Sequence, residues 1–184
     1  MTKAEHSRAA AHDSPEYRDA TRVTTLGRHP SEHHGIVNPP VYRASTVLYP
    51  SVEAYQSART HHGVTYGSAG TPTTYDFEET VAALENGHRA LALASGKTAV
   101  NLTLAALLQT GDHLLMVDTA YGPTRSFCEK TLKRYGVDTT FYDPAIGGEI
   151  ASMFKPNTRL VFMEAPGSLT FEMQDVPAIA AAAR

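Results

Sequence analysis

From residue 89 onwards, short apolar runs alternate with amphipathic stretches, and glycines separate them. The runs at 89–94 and His113–Val117 have the length of buried strands, and a helical pattern extends from 97 to 109 with Gly111 after it. A helix at 124–135 and strands at 137–142 and 159–163 complete the series. Strands that alternate with helices predict an α/β fold in which a mainly parallel, doubly wound sheet is covered by helices.

The first 70 residues have a different texture, being rich in His, Pro, Ser, Thr and Tyr, with short helical stretches only at 15–24 and 51–60. Such a segment rarely buries a core of its own, so we expect an extended arm, residues 1–70, that contacts the rest of the protein or a second subunit. From Thr71 the pattern changes to an amphipathic helix. This helix places Phe77, Val81 and Leu84 on one face and ends at Asn86 and Gly87.

Composition excludes several classes of protein. The 184 residues carry a net charge of −3 and no basic run, which disfavours nucleic acid as a partner. The single cysteine, Cys128, excludes an internal disulfide and fits a reducing, cytoplasmic setting. Its position in phase with Leu132 favours a buried structural thiol over a nucleophile. No apolar run is long enough to span a membrane, and the first residues do not resemble a signal peptide.

Metal binding is not predicted. Five of the nine histidines lie in the polar opening stretch without carboxylate or cysteine partners at metal-ligand spacing. They are His6, His12, His29, His33 and His34.

The final helix opens with Asp175 as its N-cap and Pro177 in its first turn, and nothing closes it before Arg184. We therefore expect this chain to be the front part of a longer protein.

The candidate site lies in the loops that follow the strands, because ligands of open α/β sheets bind at the carboxyl ends of the strands. After the first run, Ser95, Gly96, Lys97 and Thr98 open a helix, whose free amides and positive dipole end attract an anion such as phosphate. A nucleotide-binding P-loop is disfavoured because Leu91 stands where it needs a glycine. In the alternative interpretation, Gly96 only allows a turn and Thr98 caps the helix.

Two further loops offer groups at the same edge. Residues 118–123 carry Tyr121, which could stack on a flat cofactor or serve only as a packing residue. Residues 164–170 carry Ser168, which could reach a ligand. They also carry Glu164, for which a structural cap or ion pair is as good an interpretation as a ligand contact. Serine hydrolysis has little support, since Gly-x-Ser-x-Gly occurs nowhere.

Several motifs resemble the Cys/Met-metabolism family of pyridoxal-phosphate enzymes, of fold type I, over residues 37–184. They are 66–73, 95–96, 111–113, 119–123 and 156–168. The resemblance implies that the amides of Gly96 and Lys97 hold the cofactor phosphate. It also implies that Tyr121 stacks on the pyridine ring and approaches the substrate, and that Ser168 lies near the ring oxygen. Tyr66 would reach the phosphate of a neighbouring subunit, in a dimer of dimers. Residues 71–184 would then be an incomplete cofactor domain.

The closing motifs resemble the β-lyases of the family more than the γ-synthases and γ-lyases, which usually carry Asn at the position of Ser168. This implies cleavage of cystathionine to homocysteine, pyruvate and ammonia in methionine biosynthesis. Another trans-sulfuration activity, or a non-catalytic fragment that acts as an assembly partner, is the alternative.

Two departures from the family pattern matter. Ser68 replaces an arginine that clamps the phosphate in many relatives, a loss that Lys97 can offset in part. The motifs for the Schiff-base lysine, the aspartate that partners the ring nitrogen and the arginine that binds the substrate carboxylate belong beyond Arg184. We therefore expect the chain alone to be inactive.

Overall fold

The computed structural model describes residues 17–58 and 64–184. The chain forms two compact units, residues 1–92 and 93–184. The first unit contains, among its described residues, the helices α1 (Asp19–Thr25), α2 (Val52–Ala58) and α3 (Pro72–Leu84), with short 3-10 turns at Pro30–Glu32 and Gly67–Ala69. The short helices predicted at 15–24 and 51–60 are thus confirmed, apart from positions 15–16 and 59–60, which lie outside the described residues.

Hydrogen bonds join α3 to the segments before it. Arg22 of α1 donates to the carbonyl oxygen of Ala83 at 2.6 Å. The hydroxyl of Thr73 donates to the carbonyl oxygen of Pro40 at 2.8 Å and accepts the N–H of Tyr42 at 2.9 Å. These bonds explain why α3 belongs to the first unit. The functional division at residue 70, into an arm with subunit contacts and a cofactor domain, stays a prediction.

The predicted apolar face of α3 is wrong at one position. Phe77 is 60% exposed, whereas Asp76, beside it, is 6% exposed. The carboxyl Oδ1 of Asp76 lies 3.7 Å from Nε2 of His29, so a polar contact occupies the inner side of the helix.

The second unit contains α4 (Gly96–Leu107), β1 (His113–Val117), α5 (Gly122–Ser126), β2 (Asp138–Tyr142), β3 (Thr158–Phe162) and α6 (Val176–Ala182). A π-helical segment, Phe127–Leu132, continues α5, and a 3-10 segment, Gly147–Met153, lies between β2 and β3. The sheet order is β2-β1-β3, and both pairings are parallel. The predicted α/β fold with a parallel sheet is therefore confirmed.

The core of the second unit surrounds β1, all five residues of which are buried. Leu104 of α4, Cys128 and Leu132 of the π-helical segment, and Ile179 of α6 pack around the sheet. Cys128 is fully buried, and burial raises its thiol pKa to about 11, as expected of a structural cysteine. Among the described residues, no helix combines the length and the apolar character that a membrane span requires.

The strand predicted at 89–94 is wrong. Its residues form no strand, and Leu91 and Leu93 are 68% and 43% exposed. A β-strand requires a hydrogen-bonded neighbour, and within the described residues β1, β2 and β3 pair only with one another. The apolar character of the run is typical of a buried strand, but none of the described strands pairs with it.

Candidate functional site

Among the described residues, helix α4 begins with two backbone amides that donate to no protein group. Ser95 is the N-cap, and its hydroxyl accepts the N–H of Thr98 at 3.1 Å. The carbonyl of Ser95 accepts the N–H of Ala99 at 3.0 Å. Within the described part of the chain, no acceptor takes the N–H groups of Gly96 and Lys97. These are the two amides that the motif resemblance implies as phosphate ligands.

The surroundings of this helix start suit an anion. A Cβ built on Gly96 would meet no atom within 4 Å, so the space beside the backbone is open. The first turn contains no acidic side chain, and Lys97 adds a positive charge to the positive end of the helix dipole. The alternative interpretation, with Thr98 as the cap, is wrong: Ser95 caps α4 by accepting the N–H of Thr98, which leaves the amides of Gly96 and Lys97 available. The donor set therefore fits a phosphate group.

The loop that follows β1 approaches the start of α4. Lys97, Gly122, Pro123 and Lys130 are among the residues that line one cavity of about 490 Å³. Tyr121 precedes Gly122 and is the N-cap residue of α5, with its side chain half exposed. The cavity shows that the loop of Tyr121 and the first turn of α4 lie at the same edge of the unit.

Arg125 fixes the start of this loop. Its guanidinium donates to Oδ1 and to the carbonyl oxygen of Asp118, both at 2.5 Å. The same guanidinium lies 3.9 Å from the centre of the Phe141 ring, a cation–π contact. The N–H of Asp118 in turn donates to the carbonyl oxygen of Tyr142 at 2.8 Å. The loop is therefore anchored before it reaches Tyr121.

The loops after β1 and β3 are joined directly. Oε2 of Glu164 accepts the N–H of Tyr121 at 3.1 Å, and the N–H of Ser168 donates to the carbonyl oxygen of Thr119 at 2.8 Å. A Cβ on Gly167 would lie 2.5 Å from Oγ1 of Thr119, so the two loops approach closely at this glycine. For Glu164, the sequence allows a structural cap or an ion pair. The structure shows a cap, because its carboxylate accepts the N–H of Tyr121, the residue before α5.

Tyr66 belongs to the first unit. It precedes the 3-10 turn Gly67–Ala69, and the hydroxyl of Ser45 lies 3.3 Å from its own hydroxyl. Its side chain is 49% exposed. Its part in a cofactor site stays a prediction, as do the cofactor contacts of Gly96, Lys97, Tyr121 and Ser168.

The histidines of the opening stretch need one correction. The sequence spacing gave His29 no carboxylate partner, but the fold brings Asp76 and Glu79 of α3 to it, with candidate ligand atoms within 4.8 Å of one another. These residues are distant in sequence, so local spacing could not reveal the group. His6 and His12 lie outside the described residues.

Comparison with known proteins decides the family. The model of the family described as Cys/Met metabolism PLP-dependent enzyme matches residues 20–184. The chain belongs to this family. Pyridoxal 5'-phosphate (PLP) is therefore the cofactor that the site must fit, and an open, cationic helix start fits the phosphate of that cofactor.

Relatives within the Cys/Met metabolism family cover the same part of the molecule. A protein of Rhizobium johnstonii is 48% identical over 163 residues, which is 89% of this chain and 41% of that protein. "Cystathionine beta-lyase MetC" of Escherichia coli is 40% identical over 89% of this chain and 42% of its own length. The crystal structure of metB from Corynebacterium glutamicum matches with a TM-score of 0.81 and 28% identity, over 91% of this chain and 42% of that structure. The chain thus spans about two fifths of the length of these proteins.

Proposed function

We propose that this chain carries the phosphate-binding part of a pyridoxal-phosphate site, in a protein that cleaves the C–S bond of cystathionine by β-elimination. The open amides of Gly96 and Lys97 support the cofactor assignment. The name of the E. coli relative and the Pro166, Gly167, Ser168 turn support the β-lyase reaction over a γ-synthase or γ-lyase reaction.

The residues of the chain would act through binding and orientation. The amides of Gly96 and Lys97 hold the phosphate at the start of α4, and the ammonium group of Lys97 balances part of its charge. The side chain of Tyr121 stacks on the cofactor ring and borders the substrate, while Ser168 approaches the ring oxygen. When bound, the cofactor supplies the conjugated ring that accepts electrons during C–S cleavage.

The finer features of the intact protein are part of the same proposal. Tyr66 contributes to the phosphate site of a neighbouring subunit, so the intact protein is a homo-oligomer, a dimer of dimers. It acts in methionine biosynthesis in the cytoplasm, a setting that agrees with a single, buried cysteine.

A comparison of pyridoxal phosphate with pyridoxal tests the cofactor assignment. Equilibrium dialysis of the 184-residue chain should show weak, reversible binding of pyridoxal phosphate, and at least about tenfold weaker binding of pyridoxal, which lacks the phosphate. Equal affinity for the two would contradict the role of the α4 start.

The reaction itself needs the longer protein. A full-length version incubated with cystathionine should release pyruvate and homocysteine. Release of cysteine and 2-oxobutyrate instead would indicate a γ-lyase and would contradict the β-lyase assignment.

A further inference from the structure

A relay of hydrogen bonds links the carboxyl ends of the three strands. The hydroxyl of Tyr142, the last residue of β2, lies 2.9 Å from Oε1 of Gln174 and 3.0 Å from the carbonyl oxygen of Phe162, the last residue of β3. Nε2 of Gln174 donates to the carbonyl oxygen of Glu164 at 2.8 Å. The carboxylate of Glu164 accepts the N–H of Tyr121, which follows β1. Gln174 is the central member of this relay.

The inner members of the relay are buried. Tyr142 is 1% exposed and Gln174 is 6% exposed. Buried polar groups that lose a partner are costly, because no water replaces the bond. Burial also raises the pKa of the Tyr142 hydroxyl to about 12, so this group remains a donor over the neutral range.

The segment between Glu164 and Gln174 needs anchors at both ends. It has no regular secondary structure, and both Leu169 and Phe171 have positive φ angles, 66° and 57°. Non-glycine residues in this conformation persist only where the surrounding structure holds them. Leu169 is 91% exposed and Phe171 is 74% exposed, so their own side chains supply little packing. Backbone bonds from the N–H of Phe171 to the carbonyl oxygen of Gly167, at 3.0 Å, and from the N–H of Gly167 to the carbonyl oxygen of Glu172, at 2.8 Å, hold the segment internally. The hydrogen bonds of Ser168 and Gln174, with the close approach of Gly167 to Thr119, tie it to the loop after β1 and to the sheet.

We infer that Gln174 is a positioning residue for the candidate site. It holds Glu164 at the place where the carboxylate binds the amide of Tyr121, and so fixes Tyr121 relative to the start of α4. The value of that position for a cofactor rests on the proposed function. The hydrogen-bonded link from Gln174 to Tyr121 is independent of the proposed function.

Amide hydrogen exchange of the 184-residue chain, resolved by NMR, tests the link. Gln174→Met keeps the side-chain length but removes both polar atoms, and Gln109→Met is the matched control at an exposed position of the same unit. We expect exchange of the Tyr121 amide about tenfold faster in Gln174→Met, with the amides of β1 unchanged and no effect of Gln109→Met. An unchanged exchange rate at the Tyr121 amide would overturn the inference. It would mean that Met replaces Gln174 fully and that Gln174 contributes only packing, not hydrogen bonds.

A second pair of variants, with a smaller change, tests the same link if Gln174→Met does not fold. Tyr142→Phe removes one hydroxyl of the relay, and Tyr135→Phe is its control on an exposed tyrosine. We expect about threefold to tenfold faster exchange at Tyr121 in Tyr142→Phe alone. Equal exchange in the two variants would contradict the relay.

Coupling and cofactor binding separate the two proposals. If Gln174 acts through Glu164, then Gln174→Met should not increase the exchange rate of the Tyr121 amide further once Glu164→Ala is present, and additive effects would contradict this route.

If exchange responds as expected but the unmodified chain does not bind pyridoxal phosphate, the proposed function fails and the positioning role stands. If pyridoxal phosphate binds and the Tyr121 amide does not respond to Gln174→Met, the positioning role fails alone.

Discussion

Gly96→Asp should weaken phosphate binding while it leaves the fold intact or stabilises it. A side chain at Gly96 would enter open space, so the substitution meets no steric obstacle. A carboxylate in the first turn of α4 also interacts favourably with the positive end of the helix, by about 0.3–1 kcal/mol. Stability and binding should therefore change in opposite directions.

The size of the binding effect follows from Coulomb's law. A carboxylate about 5 Å from a phosphate dianion is repelled by about 1.7 kcal/mol even at the dielectric constant of bulk water. This repulsion corresponds to roughly 15-fold weaker binding, and a lower local dielectric constant would increase it. The new carboxylate also competes for the amides of Gly96 and Lys97, which adds to the loss, whereas salt in the buffer screens part of the repulsion.

The assay is equilibrium dialysis with pyridoxal phosphate at fixed ionic strength, together with urea denaturation followed by circular dichroism. Two controls apply. Gly96→Ala adds a Cβ without charge, and Gly148→Asp adds the same charge at another exposed glycine with open space around it. Both should bind nearly as the unmodified chain does. Unchanged affinity in Gly96→Asp, or an equal loss in Gly148→Asp, would refute the assignment of the phosphate to the start of α4.

Three further predictions concern the second unit. His113 is buried between the hydroxyls of Thr140 and Thr158, each 2.8 Å from a ring nitrogen, and burial lowers its pKa from 6.5. The neutral form is therefore favoured in the folded state, so the free energy of unfolding should fall as pH drops below about 6.5. Urea titrations at several pH values check this, and a His113→Phe variant with the same pH slope would contradict it. Cys128 should not react with Ellman's reagent at pH 8 until urea unfolds the chain, because its thiol is buried and its pKa is about 11; rapid labelling of folded protein would oppose this. Gly167→Ala should destabilise the chain by about 1–3 kcal/mol because its Cβ would lie 2.5 Å from Oγ1 of Thr119, and urea denaturation beside Gly148→Ala, expected to be nearly neutral, measures the difference.

The sequence was most informative where a local signal defines an element. His113–Val117 is a strand with the predicted bounds, and Asp175 caps α6 through the N–H of Ala178 at 3.0 Å. Gly111 and Gly136, which end the helical patterns, have φ angles of 92° and 81°, a conformation that glycine adopts readily. Apolar periodicity, caps and glycines are short-range features, and for that reason one sequence reveals them.

The errors and omissions involve contacts between distant residues. The run at 89–94 has the composition of a strand, but pairing decides whether a strand forms, and composition does not report pairing. On α3, Phe77 is exposed while Asp76 is buried against His29, a contact between distant residues that no helical periodicity encodes. The bond of Gln174 to Tyr142 likewise joins residues that are adjacent only after the strands have assembled. The loops of the candidate site could be located from strand order, whereas the groups that hold them could not.

The sheet order has a consequence for handling the protein. Within the described residues, β2 and β3 each pair only with β1, so the outer side of each presents backbone donors and acceptors without a partner strand. Exposed strand edges recruit strands from other molecules. Concentrated samples of this chain should therefore tend to self-associate by strand addition, and a soluble preparation calls for low concentration or for a partner polypeptide that covers these two edges.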